Sequence, residues 1–199
     1  MIEQLALPGL GARTVVGDTL QRFYTPPKLA RLVAEVVLED LPIPPSFVIG
    51  CSVGGAAFPR VIRELVPDAR QHGVDLDPGA SQEGLDWFAV RDFLTWEPEV
   101  MASLCIDNPP FGEDGETALA FTKHAITIAK HVAFIMPAAY QTAVGEWGWF
   151  LDRNPPTVIR PIPGRPWGDH LRDACVYEWT SPRRINTGTR WRRLPDTWR

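Results

Sequence analysis

The sequence predicts an α/β protein with a Rossmann-like, doubly wound sheet that is mostly parallel, has seven strands and ends on an antiparallel strand. Apolar, strand-like segments alternate with helical patterns along the chain, and this order is typical of parallel sheets with helices on both faces. A glycine-rich turn follows the first apolar segment, and acidic residues follow the next two. Such sheets bind ligands at the carboxyl ends of their strands, so these turns mark the predicted site.

Seven segments are predicted strands because they are short, apolar and bounded by turn residues. They cover residues 47–50, 72–76, 88–90, 103–106, 132–136, 157–162 and 174–179. Five segments have helical patterns, and these predicted helices cover residues 26–40, 56–66, 78–86, 115–130 and 138–153. In the first helix, Thr25 is the predicted N-cap and Pro26 the first helical residue.

Length and composition indicate one domain, because 199 residues with 45% hydrophobic content can bury a sizeable core. No run approaches the roughly 20 apolar residues that cross a bilayer, and the N-terminus lacks the pattern of a signal peptide. We therefore expect a cytoplasmic protein without a membrane span. Cys51, Cys105 and Cys175 lie far apart in apolar segments, so we expect buried, reduced thiols and no metal site.

Charge is distributed unevenly along the chain, although its net value is only −4. Residues 151–199 contain ten arginines and five acidic residues, whereas residues 1–150 contain ten basic and nineteen acidic residues. Arginine pairs with phosphates and tryptophan stacks on exposed bases, which makes Arg183, Arg184 and Trp191 candidate nucleic-acid contacts. A disordered, solvated tail is the alternative interpretation of this segment.

The glycine turn and two acidic residues form the predicted ligand-binding edge. The segment Val48 to Phe58 reads as a strand, a tight turn and a helix start, and its glycines allow a ligand to approach the backbone closely. Asp75 ends the second strand, where a carboxylate can accept both hydroxyls of a ribose. Asp77 is the predicted cap of the next helix; alternatively, both acids are helix-start residues. Asp92 follows the third strand and, by composition alone, is a turn residue.

The tetrad Asn108-Pro109-Pro110-Phe111 follows the fourth strand and is the most informative motif. Two prolines stiffen the loop, which presents acceptor oxygens and a flat ring to a small planar group. An exocyclic amine fits this arrangement, because it is a poor nucleophile that gains from acceptors on its N–H groups. The alternative is an ordinary proline-rich loop after a strand. Asp107, directly before the tetrad, is interpreted first as a strand-end polar residue.

With this tetrad the chain resembles the amino-methyltransferases that use S-adenosylmethionine, whose signature is Asp/Asn/Ser-Pro-Pro-Tyr/Phe. Its glycine turn resembles the family's acidic-Pro-x-x-Gly-x-Gly loop, with two departures: Gly50 replaces the usual acid, and Ala56 replaces a glycine. That acid ordinarily helps to hold the amino-acid end of the cofactor. The stretch Tyr24-Thr25-Pro26-Pro27 lies upstream of the glycine turn, an order that resembles the gamma arrangement of DNA adenine-N6 methyltransferases.

The resemblance implies S-adenosylmethionine as the cofactor and assigns roles to individual residues. Those implied to contact the cofactor are Tyr24, Thr25 and Pro26 at its methionine moiety, Gly50, Ser52 and Gly54 in the glycine turn, Asp75 at the ribose, and Asp92 and Phe93 at the adenine. The implied catalytic residues are those of the tetrad: the Asn108 side chain and the Pro109 carbonyl accept from the target amine, Pro110 stiffens the loop, and Phe111 stacks on the base.

The resemblance also implies a catalytic domain over residues 1–180, followed by an Arg/Trp-rich tail over residues 181–199. Trp167, between the last two strands, is the implied stacking partner on the far face of a flipped base, with simple packing in a proline-rich loop as the alternative. The chain has no room for a separate target-recognition region and looks like the small stand-alone methyltransferases of phages and prophages.

The expected function is therefore N6-adenine DNA methylation by direct transfer to a flipped adenine, with DNA as the partner and RNA as a further candidate. Two alternatives remain open. One is an N-methyltransferase that acts on RNA or on a protein glutamine, since the same tetrad occurs in both. The other is a nucleic-acid-binding relic without turnover, suggested by the departures at Gly50 and Ala56. The sequence leaves the oligomeric state and the recognised bases open.

Overall fold

The computed structural model describes residues 23–164, 173–181, 188–192 and 194. Four α-helices occur among them: α1 (Pro27–Asp40), α2 (Ala57–Leu65), α3 (Glu116–Ile128) and α4 (Glu146–Arg153). The strands are β1 (Phe47–Gly50), β2 (Arg70–Asp75), β3 (Trp87–Val90), β4 (Leu104–Asp107), β5 (His131–Pro137), β6 (Val158–Ile162), β7 (Ala174–Thr180) and β8 (Arg190–Trp191). Short 3₁₀ turns cover Phe93–Thr95, Glu113–Gly115 and Ala138–Thr142.

The strands form one sheet in the order β3-β2-β1-β4-β5-β7-β6-β8. The first five strands of that order are parallel, and β7 runs antiparallel between β5 and β6. The fold class predicted from the sequence is therefore confirmed. The sheet gains an eighth strand because Arg190 and Trp191 pair in parallel with Val158 and Ile159 of β6. The division into a domain and a tail at residue 181 stays a prediction.

Two hydrophobic layers lie on opposite faces of the sheet. On one face α1 and α2 pack their apolar sides, including Leu29, Val33 and Ile62, against the sheet residues Leu104 and Ile135. On the other face α3 and α4 pack against residues such as Phe134 and Tyr177. The central strands β1 and β4 are buried along their whole length, because helices cover both of their faces.

The helix predicted over residues 78–86 does not form, and turns replace it. Asp77 accepts a hydrogen bond from the Gly79 amide at 2.8 Å instead of capping a helix. Gly84 has a φ of 85°, and a Cβ atom there would lie 2.5 Å from the Pro59 carbonyl oxygen. This close approach of two backbones requires a glycine in a conformation that ends any helix.

Two other helix boundaries differ from the prediction. Pro26, rather than Thr25, is the N-cap of α1, and no side chain caps this helix. Pro27 at the first helical position has no N–H group to satisfy, which reduces the need for a side-chain cap. The pattern over 138–153 is divided into a 3₁₀ turn and α4, because Gly145 between them has a φ of 71°.

A buried network of charged groups joins the sheet to α1 and β8. The Arg160 guanidinium donates to Glu178 at 2.5 Å and to Asp40 at 2.6 Å. Arg192 also pairs with Asp40, and the His131 imidazole lies 3.1 Å from Glu178. Arg160 and Glu178 are almost inaccessible to solvent, so each needs the other to offset the cost of leaving water.

No helix among the described residues is long and apolar enough to span a membrane.

Replacing Glu178 by Gln should lower the free energy of unfolding by about 3 kcal/mol, because it removes one of the two carboxylates that compensate the buried Arg160 charge and leaves only Asp40. Urea denaturation of both proteins measures the difference. Glu64→Gln is the matched control, since Glu64 forms an exposed ion pair with Arg31 and should contribute less than about 1 kcal/mol. Equal losses in the two variants would contradict the assigned role of the buried network.

Candidate cofactor and substrate site

The candidate site lies at the carboxyl ends of β1, β2 and β4. These three strands are adjacent and parallel, so the loops that follow them meet at one edge of the sheet. The glycine turn follows β1, Asp75 ends β2, and Asp107 ends β4 directly before the tetrad. The segment Phe23 to Pro26, which precedes α1, lies across the same edge.

The glycine turn between β1 and α2 has a tightly constrained backbone. Gly54 has a φ of 49°, and a Cβ atom on it would lie 3.1 Å from the Tyr24 ring. Gly54 thus allows Tyr24 to lie directly against the turn. Ala56, where the family has a glycine, has a φ of 55° and precedes α2 as its N-cap. This left-handed conformation costs an alanine on the order of 1 kcal/mol, which a glycine would not incur.

Asp75 connects β2 to the glycine turn. One carboxylate oxygen accepts from the Gly54 amide at 2.8 Å, and the other accepts from the Asp77 amide at 2.8 Å. Each oxygen of an ionised carboxylate can accept a second hydrogen bond. Asp75 lines the cavity in front of the turn. It therefore keeps acceptor capacity for a bound hydroxyl group, and its predicted contact with a ribose remains a prediction.

Asp107 ties the loop after β1 to the loop after β4. Its Oδ2 atom accepts from the Cys51 and Ser52 amides at 2.8 and 2.9 Å, and its Oδ1 atom accepts from the Asn108 amide at 2.9 Å. The side chain is only 6% exposed. Burial, with a smaller contribution from the charge of Asp75, raises the pKa of Asp107 to about 6, although the hydrogen bonds from the three amides oppose the shift.

The Asn108 side chain has a fixed orientation with one unused acceptor. Its Nδ2 atom donates to the Phe23 carbonyl at 2.8 Å. Its Oδ1 atom is buried and has no hydrogen-bond partner among the residues that the structure describes. Native proteins rarely leave a buried oxygen unpaired, because the loss of hydration costs about 1 to 3 kcal/mol. An N–H donor from a ligand would satisfy this atom.

The aromatic ring of the tetrad packs against a second ring from the segment before α1. Phe111 stacks on Phe23 with ring centroids 6.0 Å apart and an interplanar angle of 23°. Pro109 is buried, whereas Pro110 is partly exposed and lines the cavity. The loop thus holds the polar amide of Asn108 near two apolar aromatic rings. A planar heterocycle that carries an amine could use both kinds of contact.

Two cavities, of about 90 and 180 Å³, flank the glycine turn. We call them the front lobe and the rear lobe. Both are lined by Phe23, Tyr24, Ser52, Gly54 and Asn108. The front lobe adds Asp75, Leu76, Arg91, Phe93, Pro110 and Phe121, among others. The rear lobe adds Thr25, Gly55, Phe58, Arg60 and Asp107, among others.

The structure brings most, but not all, of the predicted cofactor contacts to these lobes. Phe93 is buried and lines the front lobe, packed against Phe121 at a centroid distance of 5.1 Å. Asp92 lies beside that lobe and does not line it; its carboxylate accepts from the Leu94 amide at 2.9 Å. Gly50 and Pro26 line neither lobe. The individual contact roles stay predictions.

The candidate nucleic-acid residues are only partly described. Trp167, Arg183 and Arg184 lie outside the described residues. Trp191 is 59% exposed and borders a separate cavity with Gln141 and Cys175.

Asp107 and Phe23 lie in the candidate site, although neither was predicted from the sequence to do so. The signal for Asp107 was available, because the same strand-end position pointed to Asp75. Phe23 directly precedes the stretch that resembles the family motif, but its main contribution is a backbone carbonyl, which any residue type can supply. The three cysteines are buried free thiols, as expected. Burial raises the pKa of Cys51 and raises that of Cys175 to about 11, so neither forms a thiolate nucleophile near neutral pH.

No protein-family model matches the chain. A type II methyltransferase of Thermus thermophilus is 31% identical over 150 residues, which cover 71% of this chain and 32% of that protein. A type II methyltransferase of Paramecium bursaria Chlorella virus XZ-6E is 28% identical over 94 residues, covering 45% of this chain and 24% of that protein. The chain thus spans about a third or less of these relatives.

Solved structures share the fold. A structure described as a putative class I S-adenosylmethionine-dependent methyltransferase from Listeria monocytogenes has a TM-score of 0.69 at 15% identity, and the match covers 90% of this chain and 68% of that one. The methyltransferase subunit of a type I restriction-modification system from Streptococcus thermophilus has a TM-score of 0.66 at 14% identity, covering 84% and 46%. The plantazolicin methyltransferase BpumL, solved with S-adenosylhomocysteine, has a TM-score of 0.56 at 9% identity, covering 77% and 84%.

The pKa of Asp107 predicts how pH changes the stability of the protein without cofactor. Because the pKa is about 6 in the folded protein and roughly 4 in an unfolded chain, Asp107 favours folding below about pH 4, and this contribution is lost as the pH rises through 6. When the pH is lowered from about 7.5 to about 4.5, the free energy of unfolding of the wild type should rise relative to that of Asp107→Asn by on the order of 2 kcal/mol. Denaturant unfolding at both pH values measures the gain.

Asp86→Asn is a control with the opposite sign. Burial alone would raise the pKa of Asp86, but hydrogen bonds from the Gln71 amide and the Arg63 guanidinium, with the Arg63 charge, lower it. Its contribution to stability is therefore present above its unfolded pKa and is lost as the pH falls. The prediction for Asp107 would be wrong if both variants changed in the same direction.

Proposed function

We propose that this chain is a class I S-adenosylmethionine-dependent methyltransferase, as its fold neighbours and its type II methyltransferase relatives suggest, and that it transfers a methyl group from S-adenosylmethionine to the N6 amine of adenine in DNA. The observation that carries this proposal is the unpartnered, buried Oδ1 atom of Asn108. An acceptor fixed in this way, on a residue that lines both lobes, fits a substrate that presents N–H groups on a planar ring.

The residues at the two lobes fit S-adenosylmethionine. Asp75 offers acceptor capacity to ribose hydroxyls, and Phe93 offers an apolar wall to a base. Tyr24 and Ser52, which lie next to the constrained turn at Gly54, line both lobes. When bound, the cofactor supplies an electrophilic methyl group. The protein has to hold the acceptor nitrogen in line with that group.

Asn108 and Pro109 supply the orientation that the reaction needs. The Oδ1 atom of Asn108 and the Pro109 carbonyl accept from the two N–H groups of the amine, so the nitrogen lone pair points away from the loop. Phe111 fixes the plane of the base by stacking. The nitrogen would gain the methyl group as the bond between that carbon and the sulfur breaks, which leaves S-adenosylhomocysteine, and the nitrogen would then lose a proton to solvent without a covalent bond to the protein. Orientation of this kind can supply a large part of the rate.

The target adenine has to leave the base stack to bring its amine to Asn108. Extrusion costs a few kcal/mol in a duplex and less in a single strand. We propose that Trp167 stacks on the far face of the flipped base, and that Arg183, Arg184 and Trp191 contact the nucleic acid. The two relatives named type II methyltransferases support DNA as the substrate class.

An acceptor assay tests the proposed substrate. The protein is incubated with S-adenosylmethionine carrying a labelled methyl group and with duplex DNA, single-stranded DNA, RNA or a glutamine-containing protein. Each substrate is then digested, and the labelled unit is identified by mass spectrometry. N6-methyladenine from DNA is the expected product. Label in methylguanine of RNA or in glutamine would replace the proposal by one of its alternatives.

Replacing Asn108 by Ala should abolish methyl transfer while the affinity for the cofactor stays within about threefold of the wild type. The reason is that Asn108 contacts the amine, whereas most of both lobes remains intact. A loss of kcat of roughly a hundredfold or more is expected for a lost transition-state acceptor. Asn154→Ala is the control, because Asn154 lies at the end of α4 and lines neither lobe. Full activity of Asn108→Ala would refute the assigned role.

The proposed nucleic-acid contacts predict a salt effect. Replacing Arg183 and Arg184 together by Ala should weaken DNA binding for all sequences and reduce the slope of log affinity against log salt by about 1 to 2, one unit per phosphate contact. Fluorescence anisotropy at several salt concentrations measures the slope. The double variant Arg31→Ala/Arg70→Ala is the control for removing two surface charges elsewhere. An unchanged slope in the Arg183/Arg184 variant would exclude these residues as phosphate contacts.

A further inference from the structure

The Asp107 carboxylate borders the space that a side chain at position 50 would enter. A Cβ atom built on Gly50 would lie 3.5 Å from the Asp107 Oδ2 atom and 3.4 Å from Val53 Cγ2. These are ordinary contact distances, and Gly50 is not among the glycines with positive φ. The backbone at position 50 therefore tolerates a side chain. A carboxylate there would meet the carboxylate of Asp107, so only one of the two positions can carry the acid without repulsion.

We infer that Asp107 replaces, from the end of β4, the carboxylate that the family places at the end of β1. In this role it holds the glycine turn in its binding conformation and directs negative charge into the rear lobe, where it complements the ammonium group at the amino-acid end of the cofactor. Asp107 is thus a positioning residue for the turn and a charge partner for the cofactor. The inference rests on the cofactor binding that the proposed function requires, and not on the choice of acceptor.

The hydrogen bonds of Asp107 explain how it holds the turn. Its Oδ2 atom accepts from two successive amides, those of Cys51 and Ser52. An asparagine keeps only one of the two oxygens, so its side-chain nitrogen would face either this pair of donors or the Asn108 amide. An alanine would leave these two amides and that of Asn108 without their acceptor.

The lining of the rear lobe explains the proposed charge role. Asp107 lines this lobe beside Tyr24, Thr25 and Ser52. Three of the roughly four acceptor positions of its carboxylate are used by amides, which leaves one for a further donor. Arg60 lines the same lobe. The lobe therefore presents both signs of charge, as the zwitterionic amino-acid end of the cofactor requires.

Swapping the position of the carboxylate tests this inference directly. Calorimetric titration of the full chain with S-adenosylhomocysteine gives Kd for the wild type, Asp107→Ala and the double variant Gly50→Asp/Asp107→Ala. We expect Asp107→Ala to bind roughly tenfold or more weakly, and the double variant to recover to within about threefold of the wild type. Asp86→Ala is the control: its carboxylate also accepts from a backbone amide, at 2.7 Å from Gln71, but it lines neither lobe.

The pH dependence of binding provides a second readout that needs no variant. The titratable or charged groups around Asp107 are Cys51 and Tyr24 on the neighbouring loops, Asp75 at the end of β2 and Arg60 on α2. Because the pKa of Asp107 is about 6, its ionised fraction falls from nearly all at pH 7.5 to about a quarter at pH 5.5. The Kd of the wild type should rise about fourfold over this range.

Several outcomes would overturn the inference. One is a folded Asp107→Ala variant whose Kd lies within twofold of the wild type. Others are a folded double variant that binds no better than Asp107→Ala, and a wild-type Kd that does not change between pH 7.5 and pH 5.5. Circular dichroism checks folding, and Asp107→Asn replaces the alanine variant if that one does not fold. Failure of the wild type itself to bind S-adenosylhomocysteine would refute the proposed function instead. Normal binding without methylation of adenine would leave this inference intact.

Discussion

The three hydrogen bonds that backbone amides donate to Asp107 are the constraint on which the site depends. Two of them join the turn after β1 to the end of β4, two strands that are neighbours in the sheet, although the bonded residues lie 56 and 55 positions apart in sequence. Through these bonds the tetrad and the glycine turn keep a fixed separation. Asp75 adds the corresponding link from β2 to Gly54. Two carboxylates thus align three adjacent loops, and the ligand cavities are the space that remains between them.

Much of the fold could be predicted because the central strands are buried on both faces and are short apolar runs bounded by turn residues. The prediction of a helix over 78–86 was wrong. Asp77 and Pro78 are residues that favour the start of a helix, but turns follow them in the structure. The decisive constraint was the contact between Gly84 and the Pro59 backbone, which depends on how α2 lies over the turn. Arg190 and Trp191 were not predicted as a strand, since a two-residue strand has no periodicity to detect.

The candidate site was predictable where a residue type at a strand end carries the information, as with Asp75 and Asn108. It was not predictable where the information lies in packing. Gly50 looked in the sequence like the loss of a functional acid, but beside it the structure places Asp107. A sequence motif assigns a residue type to each position along the chain and contains no information about residues that are close only in the fold. It cannot recognise a carboxylate that enters the same space from another strand.

The bond between Asn108 and Phe23 has a consequence for how the protein becomes competent during folding. The two residues are 85 positions apart. The donor is the side-chain amide of Asn108, whose oxygen is the proposed acceptor for the substrate amine. Closing so long a segment is entropically costly, and contacts of this range form only once much of the surrounding architecture exists. We expect the reactive loop to acquire its working geometry among the last steps of folding, after β4 has joined the sheet and the leading segment has come down over it.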